Sequence, residues 1–191
     1  MEKTDQQIIT EYLAGTEKAF PELLQKYLKP VYNFIQRLTG DRAMGDDIAQ
    51  ETFVKVWKNI RKYNPDYSFK TWLYTIAHRT TLDWLKKRKN PAFSDFEDEN
   101  GENTFTESLA DDLPLPDQLF TQKENVTMLE KAFEQITPTY REILTLHYHE
   151  ELSFIEISEI IDRPLETVRS QHRRGLLALQ KILLQQDAPK K

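Results

Sequence analysis

Residues 153–175, SFIEISEIIDRPLETVRSQHRRG, decide how the C-terminal part of the chain is built. Ser153 and Glu156 have the spacing of a capping box, in which each side chain satisfies a backbone N–H at a helix start. Ile157, Ile160 and Ile161 follow at three- and four-residue steps, which predicts a short amphipathic helix. Asp162-Arg163-Pro164 then forces a turn, with proline entering the first turn of a second helix near Leu165. On that helix Val168, His172, Gly175, Leu179 and Leu183 fall on one side. Thr167, Ser170, Gln171 and Arg174 fall on the other, flanked by Arg169 and Arg173. Two short helices joined by a tight turn spell a helix-turn-helix. The polar side offers hydrogen bonds to base edges and charge to phosphates, as major-groove reading requires, although a solvated helix face has a similar pattern.

Ahead of this segment, Val126, Leu129, Phe133 and Ile136 form a helical stripe. Thr137-Pro138 is a favoured N-cap followed by proline at the first helical position, and the helix it opens carries Ile143, Leu144 and Tyr148. Upstream, residues 91–123 hold Pro91, Pro114, Pro116 and Gly101, lack a sustained apolar period, and read as a flexible acidic linker. The charge distribution agrees. Residues 1–89 carry 16 Lys and Arg against 11 acids, residues 90–130 one Lys against 11 acids, and residues 131–191 nine of each, so the acidity is concentrated in the middle.

The N-terminal part is helical again. Phe20, Leu23, Leu24, Tyr27, Leu28, Val31, Phe34, Ile35 and Leu38 predict an amphipathic helix closing near Gly40. A second helix opens near Asp46, with Asp47 and Gln50 spaced as a cap and Ala49, Phe53, Val56, Trp57 and Ile60 as its apolar face. A third follows Asn64-Pro65, with Phe69, Trp72, Leu73, Ile76, Ala77, Thr80 and Trp84 inward. No stretch alternates with period two. The expected fold is all-α: a helical domain over residues 1–90, the linker 91–123, a helix-turn-helix domain over 124–185 and a short tail, 186–191.

Composition narrows the function. The chain has no cysteine, which excludes disulfides and thiolate metal sites, and His147 and His149 stand two apart, wrong for a helical metal pair. No cofactor or metal is expected. There is no glycine-rich phosphate loop, GxSxG elbow or HExxH pair, so no enzyme is expected either. No apolar run is long enough to span a membrane and the first residues lack a signal-peptide pattern, which points to the cytoplasm.

Two constellations in the first domain could carry function. Arg61, Lys62, Tyr63, Tyr67, Lys70, Trp72 and Arg79 interleave rings with cations, a mixture suited to unpaired bases that stack on rings while cations hold the backbone. Core packing explains some of these rings equally well, and Phe69 and Trp84 are expected inside. Asp46, Asp47, Gln50 and Glu51 cluster within little more than a turn. The helix dipole explains one or two of them, a protein-docking patch all four.

DDIAQETFVKVWKNI (46–60) followed by FKTWLYTIAHRTTLDWLKKRK (69–89) closely resembles region 2 of bacterial RNA polymerase sigma factors. LEKAFEQITPTYREILTLHYHEELSFIEISEIIDRPLETVRSQHRRG (129–175) resembles region 4. The ordered pair, with an acidic linker between, is that of the small extracytoplasmic-function (ECF) group. The resemblance implies a subunit that binds core polymerase and directs promoter-specific initiation. It implies that Asp46, Asp47, Gln50 and Glu51 dock on the clamp coiled coil of the largest subunit, with a further contact to the flap of the second-largest. Arg61, Lys62, Tyr63, Tyr67, Lys70, Trp72, Arg79, Lys86, Lys87 and Arg88 would grip the melted minus-ten element. Arg163, Glu166, Thr167, Arg169, Ser170, Gln171, Arg173 and Arg174 would read the minus-thirty-five element. An anti-sigma factor is the expected inhibitory partner.

The chain departs from the family pattern at Arg79, where Asn is usual, at Ser158 for Ala, at Asp162 and Glu166 for Gly, and at Gln171-His172 for Arg-Leu. Glu166 and Gln171 lie on the expected reading surface, so promoter preference is not inherited from relatives. His172 falls on the inward stripe and reads as a core histidine. The competing reading is a helix-turn-helix regulator that binds duplex DNA without polymerase.

Overall fold

A computed structural model describes residues 3–88 and 123–186, and every regular element among them is helical. The first unit comprises α1 (Asp5–Leu13), α2 (Ala19–Thr39), α3 (Arg42–Asn59), a single 3-10 turn (Ile60–Lys62) and α4 (Phe69–Lys87). The second comprises α5 (Lys123–Gln135), α6 (Pro138–Leu144), a π turn (Thr145–His149), α7 (Phe154–Ile161) and α8 (Leu165–Gln186). The predicted linker lies outside the described residues except Lys123, which opens α5.

Local chemistry accounts for most boundaries. The Ser153–Glu156 capping box is formed, with the Ser153 hydroxyl accepting from the Glu156 N–H and the Glu156 carboxylate accepting from the Ser153 N–H at 2.9 Å. Asp162 ends α7 in the left-handed conformation at φ 54°, which an Asp tolerates better than most residues and a Gly better still. Gly40 closes α2 at φ 65°. Thr137 and Pro138 open α6 as predicted, but the Thr137 side chain makes no cap bond.

Two starts differ from expectation. Helix α3 begins one turn before Asp46, because the Asp41 carboxylate accepts from the Met44 N–H at 3.0 Å. Capping therefore explains none of Asp46, Asp47 and Gln50. Helix α1 was not predicted, although Thr4 and Gln7 form a second capping box ahead of buried Ile8 and Ile9. The Tyr27 hydroxyl donates to Asp5, and Lys26 pairs with the same carboxylate at 2.7 Å, which ties α1 to α2.

The two units share one core. Leu23, Phe34, Ile35, Leu73 and Tyr74 of the first belong to the same buried cluster as Ile143, Leu146, Ile157 and Ile160 of the second. Helix α4 lies along α7 and α2 along α6. A smaller cluster of Ala132, Ile136, Leu144 and Leu179 joins α5, α6 and α8. There Gly175 permits a close approach, since a Cβ would sit 3.1 Å from Tyr140 Cβ and 3.3 Å from Leu144 Cδ1.

Candidate nucleic-acid and protein interfaces

Helix α3 presents Asp46, Asp47 and Gln50 to solvent. Glu51 does not join them. Its Oε2 accepts from Trp84 Nε1 at 2.6 Å and its Oε1 pairs with Lys55 Nζ at 2.9 Å, so it braces α3 against α4. The hydrogen bonds from Lys55 and Trp84 hold its carboxyl below the usual carboxylate range. Beside the exposed acids runs an apolar groove of about 820 Å³, walled by Phe20, Leu24, Leu28 and Tyr32 of α2 and Phe53, Val54 and Trp57 of α3, with Asp46 and Gln50 among its lining. Trp57 is 55% exposed, Leu28 46% and Val54 41%. Trp57 and Leu28 were expected on buried faces. Adjacent Val56 and Trp57 point about 100° apart on a helix, and Val56 takes the core.

The ring-and-cation constellation separates into two faces. Trp72, Arg79 and Lys86 recur every seven residues and share one stripe of α4, half-buried at Trp72 and exposed at the two cations. Arg61 and Lys62 in the 3-10 turn, Tyr67 in the following loop, and Lys87 and Arg88 at the end of α4 are exposed as well. The Arg88 guanidinium lies 5.3 Å from the Trp84 ring centroid. Tyr63 corrects the sequence reading. It is only 7% exposed, its ring packs edge-on against Phe69 at 5.6 Å and tilted against Trp72 at 5.3 Å, and its hydroxyl donates to the Tyr67 carbonyl at 2.5 Å. It packs beneath the loop that displays Tyr67. Lys70 lies on the opposite stripe of α4, where its ammonium donates to the Glu150 carbonyl and stands 3.6 Å from the Glu150 carboxylate.

On α8, Glu166, Arg169 and Arg173 are exposed and Thr167, Ser170 and Arg174 half-buried, as is Arg163 ahead of the helix. Arg169 pairs with Glu166 at 2.8 Å, and the Ser170 hydroxyl donates to the Thr167 carbonyl at 3.0 Å. Gln171 is the second correction. At 2% exposure it faces the interior, because it sits within about 60° of Val168 and about 40° of Gly175 around the helix. His172 packs among His147, Tyr148 and Phe154, with ring centroids 4.9–5.6 Å away, and its Nε2 is 3.2 Å from the Tyr148 hydroxyl. Burial first, and neighbouring His147 second, push its pKa down to about 4, so it is neutral near pH 7. Among the described residues no group of three His, Asp or Glu could hold a metal, and no helix is long and apolar enough to cross a membrane.

The family description Sigma-70 region 2 matches residues 23–90, and Sigma-70, region 4 matches residues 127–179. The chain is 31% identical to the ECF RNA polymerase sigma factor SigW of Bacillus subtilis, over 96% of this chain and 98% of that one. It is 30% identical to the RNA polymerase sigma-H factor of Pseudomonas aeruginosa, over 95% of each. Among solved structures, the sigma factor RpoE of Bartonella quintana, in complex with the anti-sigma factor NepR, has the same fold at a TM-score of 0.65 and 23% identity, covering 87% of this chain and 98% of that one. With both regions in order and relatives aligned nearly end to end, the chain belongs to the sigma-70 family of RNA polymerase sigma factors, in its ECF group, whose members direct promoter-specific transcription initiation.

Proposed function

We propose that three separate surfaces divide the work of initiation. The groove between α2 and α3, with Asp46, Asp47 and Gln50 beside it, docks on core RNA polymerase at the clamp coiled coil of the largest subunit. Arg61, Lys62, Tyr67, Trp72, Arg79, Lys86, Lys87 and Arg88 grip the melted minus-ten strand, where rings stack on extruded bases and cations neutralise phosphates. The outer face of α8, with Glu166, Thr167, Arg169, Ser170, Arg173 and Arg174, reads the minus-thirty-five duplex, while the second unit rests on the flap of the second-largest subunit. The protein works in the bacterial cytoplasm, supplies binding rather than catalysis, and is held by an anti-sigma factor when silent.

The observation that carries this reading is the apolar groove beside exposed acids. A large exposed Trp and two aliphatic residues set in a concave surface with a polar rim make an anchor site for a helical partner. The test is reconstituted transcription: the purified protein with core polymerase should start transcripts at promoters that core alone ignores. Promoter binding without polymerase, and no gain in initiation with it, would replace this reading with that of an ordinary duplex-binding regulator.

A further inference from the structure

Helix α1 lies ahead of the region 2 match, which begins at residue 23, and its first turn reaches the loop of residues 63–68 that carries Tyr67. Hydrogen bonds set the path of that loop. The Tyr67 N–H donates to the Asn64 carbonyl at 3.2 Å, the Asp66 N–H to Asn64 Oδ1 at 3.0 Å, and the Tyr63 hydroxyl to the Tyr67 carbonyl at 2.5 Å. All three join residues no more than four apart. A fourth comes from 59 residues away: Gln6 Nε2, on the exposed side of α1, donates to the Pro65 carbonyl at 2.8 Å. A carbonyl only accepts, so the Gln6 amide must turn its NH2 towards the loop.

Gln6 stands on a firm base. Thr4 and Gln7 close a capping box around the start of α1. Asp5 accepts from the Tyr27 hydroxyl and pairs with Lys26, and Ile8 and Ile9 are buried, so the first turns of α1 are fixed to α2. Tyr27 carries the connection onward. Its ring meets Phe69 edge-on at 5.6 Å, Phe69 meets Tyr63 edge-on at 5.6 Å, and the Tyr63 hydroxyl reaches the Tyr67 carbonyl. Adjacent residues of α1 therefore support the loop twice, Asp5 through a chain of packed rings and Gln6 directly at Pro65.

We propose that Gln6 is a positioning residue for base capture: by tying Pro65 to α1 it holds the loop in the path that presents Tyr67 to an extruded base. The inference rests on the reading of Tyr67 as a base-stacking ring of the minus-ten surface. Tyr67 is 62% exposed and every residue from Asn64 to Ser68 is exposed, so burial does not fix where the ring stands. The bonds to the Pro65 and Tyr67 carbonyls supply the constraint that burial does not. Ordering a loop costs conformational entropy, and whatever is ordered before DNA arrives no longer weakens binding. Gln6 acts through the loop backbone and needs no contact with DNA of its own.

The test uses holoenzyme, assembled from core polymerase and the protein, with a fluorescent oligonucleotide. Its sequence is the non-template strand across the minus-ten element of a promoter mapped from the transcripts that holoenzyme starts. A matched set of strands lacks one base at a time, and the position at which the unsubstituted protein loses most affinity is the captured base. Gln6→Ala, a helix-favouring change at an exposed site, should weaken binding of the intact strand about three- to tenfold, the range a single hydrogen bond supports, and leave binding of the strand without the captured base within about twofold. Binding to core polymerase and the urea midpoint should not move. Gln6→Lys restores a donor of similar reach and should recover the discrimination, while comparison with the base-less strand cancels its added charge. Gln6→Glu, which has no donor, should discriminate as poorly as Gln6→Ala. Equal discrimination by the Gln6→Ala and unsubstituted proteins overturns the inference. An equal loss on intact and base-less strands overturns it too, since that marks a general change of fold. An unsubstituted protein indifferent to the removal of every base would instead remove the minus-ten reading of the loop, and this inference with it.

Discussion

The two units depart from the rule of apolar inside and polar outside most tellingly at different kinds of residue. The first leaves Leu28, Val54 and Trp57 in solvent, and the second draws Glu142, Glu150 and Gln171 out of it. Exposed apolar side chains grouped in a groove signal a partner that is not part of the chain. Buried carboxylates signal a partner that is present, and for Glu142 and Glu150 it is the first unit itself. At these residues the departures from simple burial mark contacts, the grouped apolar ones outward and the carboxylates across to the first unit.

The contrast can be broken first at Trp57. Trp57→Ala should weaken binding to core polymerase tenfold to a hundredfold, about 1.4–2.7 kcal/mol, while changing stability by less than about 0.5 kcal/mol. Titration with labelled polymerase and a urea melt would measure both, and the reverse pattern would make Trp57 a folding residue. Glu142→Ala should do the opposite, costing about 1–3 kcal/mol in the melt because His78 loses its partner while buried. An Asp46→Ala variant, exposed and outside any cap, should melt like the unsubstituted protein.

Smaller effects sharpen the picture inside the second unit. The pKa of His172 is depressed when folded, so its contribution to stability is complete above about pH 6.5 and is lost as pH falls towards about 4, where the folded form also takes the proton. Between pH 7 and 5.5 the stability advantage over His172→Gln should shrink by about 1 kcal/mol, as followed by urea melts at each pH. On the outer face of α8, Arg173→Ala or Ser170→Ala should alter duplex binding by about 1 kcal/mol. Gln171→Ala should leave the ranking of minus-thirty-five sequences unchanged, within about 0.5 kcal/mol in a competition assay. A reordered ranking would mean that Gln171 turns outward on DNA.

Much of the architecture was legible before any coordinates. The turn at Asp162-Arg163-Pro164, the capping box at Ser153 and the left-handed stop at Gly40 depend on residues within four positions of one another, and each is found where the spacing predicted it. Helix α1 carries the same kind of signal at Thr4 and Gln7, but its buried stripe, Ile8 and Ile9, is too short to stand out by periodicity. The site residues divide by the same criterion. Charged side chains on outward stripes, such as Arg79, Lys86, Arg169 and Arg173, are exposed as expected, whereas the burial of residues able to face either way is not set by spacing. Tyr63 and Gln171 went inward, Trp57 stayed out, and Glu51 was taken by Trp84.

The amino-acid order by itself determined which segments are helical, where they start and stop, and that two helical units flank an acidic stretch, because caps and periodicity act within a turn or two. Tertiary structure alone decided which amphipathic side chains the core would claim and that the two units close on each other. Those outcomes depend on contacts 64 residues apart at His78–Glu142 and 104 apart at Arg141–Arg37, and no local pattern encodes the competition for space that settles them.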